Sequence, residues 1–491
     1  MLTLDGVGIS DGTLGNAVMD AKTDNIDKMM SLFPHSEITA SGTEVGLREN
    51  QAGDEKVGYM TLSSGEIIKQ RSSFVSDFAD IDSLATNQVL KDAIEHVKKK
   101  RSRLHIMGLM SDGGINSNID DIINMINYLK TQEISICIDF IADGKDVDSK
   151  SALKYIERIE ETEVPIVSIC GRYYAMAEED KWDRTRVYYD LVRNGVGLKI
   201  KEVPLALKNC YMRNITDEYL PPLLVKPDHN IKDNDVVFWV NYKDDGCKSI
   251  LLSIVNPEKI TEFQPRPIKN IKLVTLYPVD NEISSTSLIQ EEGDMSSSLG
   301  VYLSKLGFTQ ARIAARNTYE YITYYFNGEK NIKIPKCTNY LIDMPESIPG
   351  KLIEINAAGV AKQIIKSMEK DTDFILASFG AIEEVALTGD YRKTVKMLEF
   401  IDECLGRILE SAELNFYTVI ITSPYASIES MINDENRIST AHTTNKVPLI
   451  ITDDSISLDD GSLADIAPTI LSYMDVSIPE SMQKSRILIK K

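Results

Sequence analysis

The sequence predicts an α/β protein, because apolar strands alternate with amphipathic helices in two separate regions. The first region runs from Phe78 to about Leu276, and the second begins at Leu299. Such alternation is typical of a mostly parallel sheet with helices on its faces. The chain has 491 residues, which fits two or three domains. Asp280–Ser298, between the regions, is polar without apolar periodicity and is predicted to be a linker.

Local patterns define the individual elements. Short apolar runs that end at Gly, Asp or Asn predict buried strands, and apolar residues three or four positions apart predict helices. The predicted strands are Leu2–Leu4, Arg103–Leu109, Ile134–Ala142, Val164–Ile169, Val236–Val240, Tyr321–Phe326, Phe374–Ala377, Tyr417–Thr422 and Val447–Thr452. The predicted helices are Asn25–Phe33, Asn87–Lys100, Ile119–Thr131, Ser151–Glu160, about Arg184–Arg193, Leu303–Leu306, Ile355–Met368, Thr394–Ser411 and Ile466–Met474. Gly46–Gly58 is polar and is predicted to be a loop.

Composition argues against several classes of main partner. The net charge of −20 argues against nucleic acid and anionic membranes, which require basic surfaces. No run of about 18 apolar residues is present, so no membrane span is predicted, and the first residues do not resemble a signal peptide. Six scattered cysteines without a Cys-x-x-Cys pair indicate reduced thiols, and hence a cytoplasmic protein.

One loop stands out as a candidate ligand-binding segment. Cys170–Arg184 follows the apolar run Val164–Ile169 and contains two arginines, two tyrosines and a tryptophan. Loops at the carboxyl ends of parallel strands commonly bind ligands, and arginine grips phosphate and carboxylate with two prongs. An aromatic loop packed on its own domain is the alternative. Asp5 also follows a strand, where it suits either a metal or phosphate site or a simple turn.

A set of motifs along the whole chain resembles the cofactor-independent (2,3-bisphosphoglycerate-independent) phosphoglycerate mutases, members of the alkaline-phosphatase superfamily. Gly171–Met176 (GRYYAM) with Trp182–Arg184 (WDR), and Thr440–Asn445 (TAHTTN), are the most specific pair. The others are Leu4–Gly8 with Gly15–Ala17, Val57-Gly58, Ser111–Gly114, Asp143–Asp146, Tyr325–Gly328 and Asp402–Arg407.

The resemblance implies a discontinuous fold with two domains. A phosphatase-like domain that holds the metals would comprise residues 1–72 and 293–491, and an inserted transferase-like domain for substrate would comprise residues 73–292. Active members are monomers that use two divalent ions, usually manganese or magnesium. A serine takes the phosphate of phosphoglycerate and returns it to the neighbouring hydroxyl, since a metal makes a hydroxyl nucleophilic.

The nucleophile and metal-ligand positions of this chain depart from the family. The family run Gly-Asn-Ser-Glu-Val-Gly-His corresponds to Gly53–Tyr59, which places Glu55 at the serine. At the first metal site the aspartate becomes Glu383, the following histidine becomes Leu387, and His442 is kept. At the second site Asp5 is kept, and the adjacent Asp-His pair becomes Pro424-Tyr425.

The substrate positions differ as well. The family histidine corresponds to Asn116, and the Arg-Asp pair after Asp-Gly corresponds to Lys145-Asp146. Of two pocket arginines, Arg184 remains and the other is Glu178. The Arg-Pro-Asp-Arg run becomes Lys243–Gly246, and the lysine before Tyr321–Phe326 becomes Thr318. Replacing cations by Glu and Gly opposes the binding of an anion.

These departures leave three hypotheses. The first is a catalytically inactive relative without a metal cofactor, acting as a scaffold or binding protein for an unidentified protein partner. The second is an active glycolytic mutase, an isomerase of phosphoglycerate that uses manganese or magnesium, with an unorthodox site in which Ser63 or Ser64 accepts the phosphate. The third is a residual site for one metal, formed by Asp5, Glu55, Glu383 and His442. Leftover polar residues in an old cleft are the alternative to the third.

Overall fold

The computed structural model describes residues 1–179, 181–243, 246–290, 298–343, 351–432, 437–482 and 487–490. They form two compact units, one of residues 1–70 with 293–491 and one of residues 71–292. Each unit contains an eight-stranded sheet in its described residues, which confirms the α/β class. Asp244, Asp245 and part of the predicted linker, 291–297, lie outside the described residues.

The first chain segment supplies two strands and the helix that carries Glu55. The strands are β1 (Leu2–Thr3) and β2 (His35–Thr39), and the helices are α1 (Ala17–Asp20), α2 (Asp24–Leu32) and α3 (Glu55–Ser64). The loop predicted over Gly46–Gly58 is wrong at its end, where α3 begins. The Asp54 side chain caps this helix by accepting from the Val57 N–H at 3.0 Å, and Gly65, at φ +62°, ends it.

Replacing Asp54 with alanine should lower the free energy of unfolding by about 1 kcal/mol, because the first turn of α3 loses its side-chain acceptor. Urea unfolding followed by far-UV circular dichroism measures the change. Asp11→Ala is the control, since Asp11 is exposed in the same unit. An equal loss in both variants would contradict the capping role.

The second unit alternates strands and helices, and its sheet order is β10-β9-β8-β3-β4-β5-β7-β6. Neighbouring strands are parallel except β5 and β7. The strands are β3 (Arg103–Leu109), β4 (Ser135–Ala142), β5 (Ile166–Gly171), β6 (Leu198–Lys199), β7 (Leu223–Leu224), β8 (Val236–Trp239), β9 (Lys272–Thr275) and β10 (Thr286–Ser287). The helices are α4 (Arg71–Phe78), α5 (Ile81–Thr86), α6 (Gln88–Lys100), α7 (Ile119–Lys130), α8 (Ala152–Glu160), α9 (Arg172–Ala175), α10 (Trp182–Asn194), α11 (Val203–Met212) and α12 (Lys248–Val255).

The last chain segment completes the first unit, whose sheet order is β12-β11-β13-β1-β14-β15-β2-β17. Its strands are β11 (Gln310–Ala315), β12 (Cys337–Ile342), β13 (Phe374–Ser378), β14 (Ile420–Thr422), β15 (Val447–Ile451), β16 (Ile456–Leu458), β17 (Gly461–Ser462) and β18 (Leu488–Lys490). Its helices are α13 (Leu299–Lys305), α14 (Tyr319–Thr323), α15 (Leu352–Met368), α16 (Ala381–Ala386), α17 (Tyr391–Leu414) and α18 (Ile466–Tyr473).

The strand predicted over Tyr321–Phe326 is wrong, since this segment is helical. It belongs to α14 and to a 3₁₀ turn, Tyr325–Asn327. Aromatic and β-branched residues favour strands, but burial decides here. Ile322, Tyr325 and Phe326 are buried at spacings of three and four residues, the period of a helix.

Apolar side chains cover both faces of each sheet. Along β13, Phe374 and Leu376 belong to one buried cluster and Ile375 and Ala377 to another. This alternation is the pattern of a strand buried on both sides. Within the described residues, none of the helices has both the length and the apolar character that crossing a bilayer requires.

Candidate functional site

The candidate site of the first unit lies where three parallel strands end. β1 pairs with β13 and β14, so that Thr3 lies beside Ser378 and Thr422. Asp5 follows β1, Glu383 lies on α16 after β13, and Tyr425 follows β14. Because the carboxyl ends of parallel strands share one edge of the sheet, these three side chains are brought to the same place.

His442 joins the TAHTTN run to the start of α3. Its Nδ1 lies 2.7 Å from the carbonyl oxygen of Gly53, to which it donates. Its Nε2 lies 3.4 Å from Oε1 of Glu383 and 3.6 Å from Oε1 of Glu55. Glu55, Glu383 and His442, three of the four predicted residual metal ligands, therefore lie together.

The surroundings of His442 favour its charged form. Burial by itself would lower the pKa, but Glu383, Glu55 and the Gly53 carbonyl together raise the pKa of His442 to about 9. Burial also raises the pKa of Glu55, although the charge of His442 opposes that change. At neutral pH and without a metal, the imidazolium is thus the cation of this cluster.

Asp5, the fourth predicted ligand, is held by hydroxyl groups in a fully buried position. The Tyr59 hydroxyl lies 2.8 Å from both carboxylate oxygens, and the Ser378 hydroxyl donates to Oδ2 at 2.9 Å. Burial raises the pKa of Asp5 to about 6, although these hydroxyls favour the carboxylate and Glu383 adds a small upward contribution.

Two tyrosines, to which the sequence analysis assigned no role, lie at the positions that the resemblance matches to family histidines. Tyr59 follows the Gly53–Gly58 run and bonds Asp5, while Tyr425 stacks on the His442 ring with centroids 4.3 Å apart. Burial raises the pKa of both phenols well above the ordinary value, and the charge of Asp5 adds to it. Both phenols stay protonated at neutral pH, so Tyr59 donates a hydrogen bond where a histidine would offer a lone pair.

The residues present do not fit a centre with two divalent ions. Among the described residues, no three ligand atoms of Asp5, Glu55, Glu383 and His442 lie within 4.8 Å of one another. Oε2 of Glu383 accepts from the Ser427 hydroxyl at 2.7 Å. The pair that the resemblance matches to the family's Asp-His, Pro424-Tyr425, offers no carboxylate and no imidazole. Hydroxyl groups and an imidazolium therefore satisfy carboxylates that two metal ions would otherwise neutralise. The third hypothesis, one metal at these residues, stays a prediction.

In the second unit, a partly buried network joins two of the predicted substrate residues. Nδ2 of Asn116 donates to Oδ2 of Asp146 at 2.9 Å. Arg172 lies 2.9 Å from the same oxygen and 2.7 Å from Oδ1 of Asp143. Arg172 was not among the predicted site residues, although its place in the GRYYAM run directly after β5 pointed to it. Its charge is balanced here by two aspartates.

The remaining predicted substrate residues lie outside this network of side chains. Lys145 is exposed, although its backbone N–H donates to Oδ1 of Asp143 at 3.1 Å. The guanidinium of Arg184 stacks on the Tyr173 ring, 3.9 Å from its centroid. Lys243 is half-buried, and Glu178 is exposed. Whether Asn116, Lys145, Asp146, Arg184 and Lys243 bind a substrate stays a prediction.

Comparison with known proteins gives consistent relatives. The family model described as "BPG-independent PGAM N-terminus" matches residues 75–281. A 2,3-bisphosphoglycerate-independent phosphoglycerate mutase of Mycoplasmoides gallisepticum is 32% identical over 500 residues, which cover 99% of each chain. The protein of the same name from Staphylococcus saprophyticus is 32% identical over 98% of this chain and 97% of its own. A crystal structure of Leishmania mexicana phosphoglycerate mutase at low cobalt concentration shares the fold, with a TM-score of 0.71, 20% identity and coverage of 100% and 97%.

The two units and their sheets define a two-unit α/β protein that has the fold of the Leishmania phosphoglycerate mutase. The relatives that match over nearly their full length identify the family. The chain belongs to the 2,3-bisphosphoglycerate-independent phosphoglycerate mutases.

Proposed function

We propose that this protein is a non-catalytic member of the mutase family, which keeps the fold to bind another protein rather than to isomerise phosphoglycerate. The observation that carries the proposal is the cluster of Glu55, Glu383 and His442. The resemblance matches Glu55 to the family's serine, and the imidazole of His442 lies 3.4 to 3.6 Å from the two carboxylates. A phosphoryl group on Glu55 would be an acyl phosphate, which is too unstable for the family reaction.

The two serines suggested as phosphate acceptors do not offer a replacement nucleophile. Ser63 and Ser64 lie on α3 and are fully buried. The Ser63 hydroxyl donates to the carbonyl of Phe326 at 2.5 Å, and the Ser64 hydroxyl to that of Glu66 at 3.0 Å. A nucleophile must reach the substrate and lie beside a base or a metal, and neither serine has such a neighbour among these contacts.

The charges of the second unit also support a non-catalytic role. Arg172 is a cation close to the predicted substrate residues, and Asp143 and Asp146 lie within 2.9 Å of its guanidinium. A phosphate that approached it would meet both carboxylates. We expect the affinity of this unit for phosphoglycerate to be low for that reason.

An active mutase is the second candidate function, and the names of the relatives favour it. Relatives that are about 32% identical over nearly their whole length are named 2,3-bisphosphoglycerate-independent phosphoglycerate mutases. If the chain acts as they are named to act, it converts phosphoglycerate in glycolysis with divalent ions. In either case we expect a cytoplasmic protein, in keeping with its free cysteines.

Turnover distinguishes the two functions. Purified protein supplied with 3-phosphoglycerate and manganese, magnesium or cobalt should form no 2-phosphoglycerate above a protein-free background, because it lacks a competent nucleophile. An enolase-coupled assay measures the product, and the Staphylococcus saprophyticus relative is the positive control. Turnover that Asp5→Asn abolishes, or a phosphorylated side chain trapped within residues 53–64 by mass spectrometry, would establish the mutase instead.

A further inference from the structure

A buried face of the second sheet carries polar side chains on three adjacent strands. His105 on β3 lies opposite Cys137 on β4, and Asp139 on β4 lies opposite Ser168 on β5. All four are at most 2% exposed. Parallel sheets covered on both faces normally have apolar side chains at such positions. A cluster of this kind requires a specific reason for its presence.

Three metal-binding atoms of this cluster converge. Nδ1 of His105 lies 2.7 Å from Oδ2 of Asp139 and 3.3 Å from Sγ of Cys137. The three atoms lie within 4.8 Å of one another, and this is the one such group of His, Cys, Asp or Glu among the residues that the structure describes. Ligand atoms around a tetrahedral zinc ion lie roughly 3.3–3.6 Å apart, given bonds of about 2.0–2.3 Å. The His105–Cys137 distance matches that spacing, and the His105–Asp139 distance is shorter, as in a hydrogen bond.

The groups behind these atoms match the outer shell of a metal site. Nε2 of His105, the nitrogen that faces away from Cys137, lies 3.4 Å from Oδ2 of Asp235, although it makes no hydrogen bond there. The Asp235 carboxylate is fixed by the backbone N–H groups of Arg103, at 2.9 Å, and Lys232, at 2.7 Å. Oδ1 of Asp139 accepts from the Ser168 hydroxyl at 2.5 Å. Metal-binding histidines commonly pair their second nitrogen with a carboxylate, and metal-binding carboxylates are themselves hydrogen-bonded.

A polar atom near the cluster also lacks a hydrogen bond. The Tyr188 hydroxyl is fully buried, and no partner for it exists among the described residues. Burial raises the pKa of Tyr188 well above the ordinary value, and the negative charge of Asp139 raises this pKa further. A zinc ion with three protein ligands needs a fourth, commonly water, and such a water would give the phenol a partner.

We propose that His105, Cys137 and Asp139 bind a zinc ion within the second unit. The ligand set of one nitrogen, one sulfur and one oxygen suits zinc rather than magnesium or calcium, which prefer oxygen alone. The residues are shielded from solvent, so the ion is taken up while the unit folds, and it stabilises the folded state. The site is independent of the Glu55–Glu383–His442 cluster and of any mutase activity.

The competing arrangement has no metal. There, a doubly protonated His105 lies between Asp139 and Asp235, and Cys137 keeps its proton. The two arrangements differ in the state of Cys137, which is a thiolate only when a metal is bound. Sulfur–metal bonding is therefore the property to measure.

The experiment uses the full chain. The chain is unfolded in the presence of a chelator, the chelator is removed, and the chain is refolded with zinc or cobalt. We expect about one zinc per chain by mass spectrometry of metals, and a thiolate-to-cobalt charge-transfer band in the cobalt form. Cys137→Ala should remove the band and lower the zinc content at least about tenfold. Cys170→Ala is the matched control, since Cys170 is equally buried at the end of β5 and should leave both readouts unchanged.

Two further measurements keep the test decisive. His442→Asn removes an imidazole from the other cluster and should leave the zinc content unchanged, which assigns the ion to the second unit. If Cys137→Ala does not fold, the cobalt band of the unaltered chain decides by itself. A folded chain without zinc and without that band, or zinc retained fully in Cys137→Ala, would overturn the proposal.

Discussion

Replacing His442 with asparagine should lower the free energy of unfolding by about 3 kcal/mol near pH 6 and change it little near pH 10. The pKa of this histidine is about 9 in the folded protein, against an ordinary value of 6.5. A raised histidine pKa contributes stability that is fully present below the unfolded value and is lost as the pH rises through the folded one. The relevant window therefore runs from about pH 6.5 to about pH 9.

The asparagine variant isolates the charge of His442. Its amide can still donate to the carbonyl of Gly53, but it leaves Glu55 and Glu383 without their cation. Near pH 10 the unaltered protein has lost that cation too, so the two proteins converge. Urea unfolding followed by far-UV circular dichroism is the measurement, since both tryptophans, Trp182 and Trp239, lie in the other unit.

His35→Asn provides the control for that experiment. His35 is exposed in the same unit, and its Nδ1 also faces a backbone carbonyl, that of Phe33, at 3.2 Å. We expect a small effect on the free energy of unfolding. A loss for His442→Asn that is equal near pH 6 and pH 10 would mean that packing against Tyr425, rather than charge, is what His442 contributes.

Replacing Asp5 with asparagine should have the opposite sign and raise the free energy of unfolding by up to about 3 kcal/mol near pH 8. Burial raises the pKa of Asp5 to about 6 from an ordinary 3.8, so the folded state prefers the protonated acid. The contribution of Asp5 to the free energy of unfolding is therefore highest below about pH 3.8, and it is lost as the pH rises through about 6. A neutral amide avoids this cost, and its advantage should shrink as the pH falls to about 4.

Asp402→Asn is the matched control for Asp5→Asn. Asp402 is also a buried aspartate of the first unit, but it accepts from the N–H groups of Asn25 and Ile26 and from the Asn25 amide. The NH₂ group of an asparagine at position 402 would point at these N–H donors and could accept no hydrogen bond from them. Asp402→Asn should therefore be less stable than the unaltered protein. The same unfolding measurement in a chelator serves both. A destabilised Asp5→Asn near pH 8 would mean that the hydroxyls around Asp5 outweigh its burial.

Local sequence patterns predicted the helices and strands correctly where the buried residues are the apolar residues of the pattern. The strand predicted at Arg103–Leu109 has those bounds in the structure, because its apolar run is buried along nearly its whole length. The strand predicted at Tyr321–Phe326 is wrong, because packing around Ile322 and Phe326 decided against local preference. Element type could be predicted where pattern and packing agree, and not where they conflict.

The candidate site divides in a similar way. The resemblance pointed to Asp5, Glu55, Glu383 and His442, and three of them meet in the structure. What holds them was not predicted, because those contacts join distant parts of the chain. Tyr59 bonds Asp5 across 54 positions, and His442 bonds Gly53 across 389. Contacts between such distant residues leave no pattern in the local sequence. The role of Tyr59 can be inferred only once Asp5 is known to be its hydrogen-bond partner.

The central place of β1 has a consequence for how the chain is made. β1 pairs with β13 and β14, and both of these strands follow the whole second unit in the sequence. A ribosome therefore releases β1 long before its neighbours exist, while residues 71–292 emerge as one continuous stretch that can fold at once. Until the last third of the chain has been synthesised, the opening segment has no sheet to join. During this interval the apolar residues of that segment stay exposed, the condition under which nascent chains aggregate.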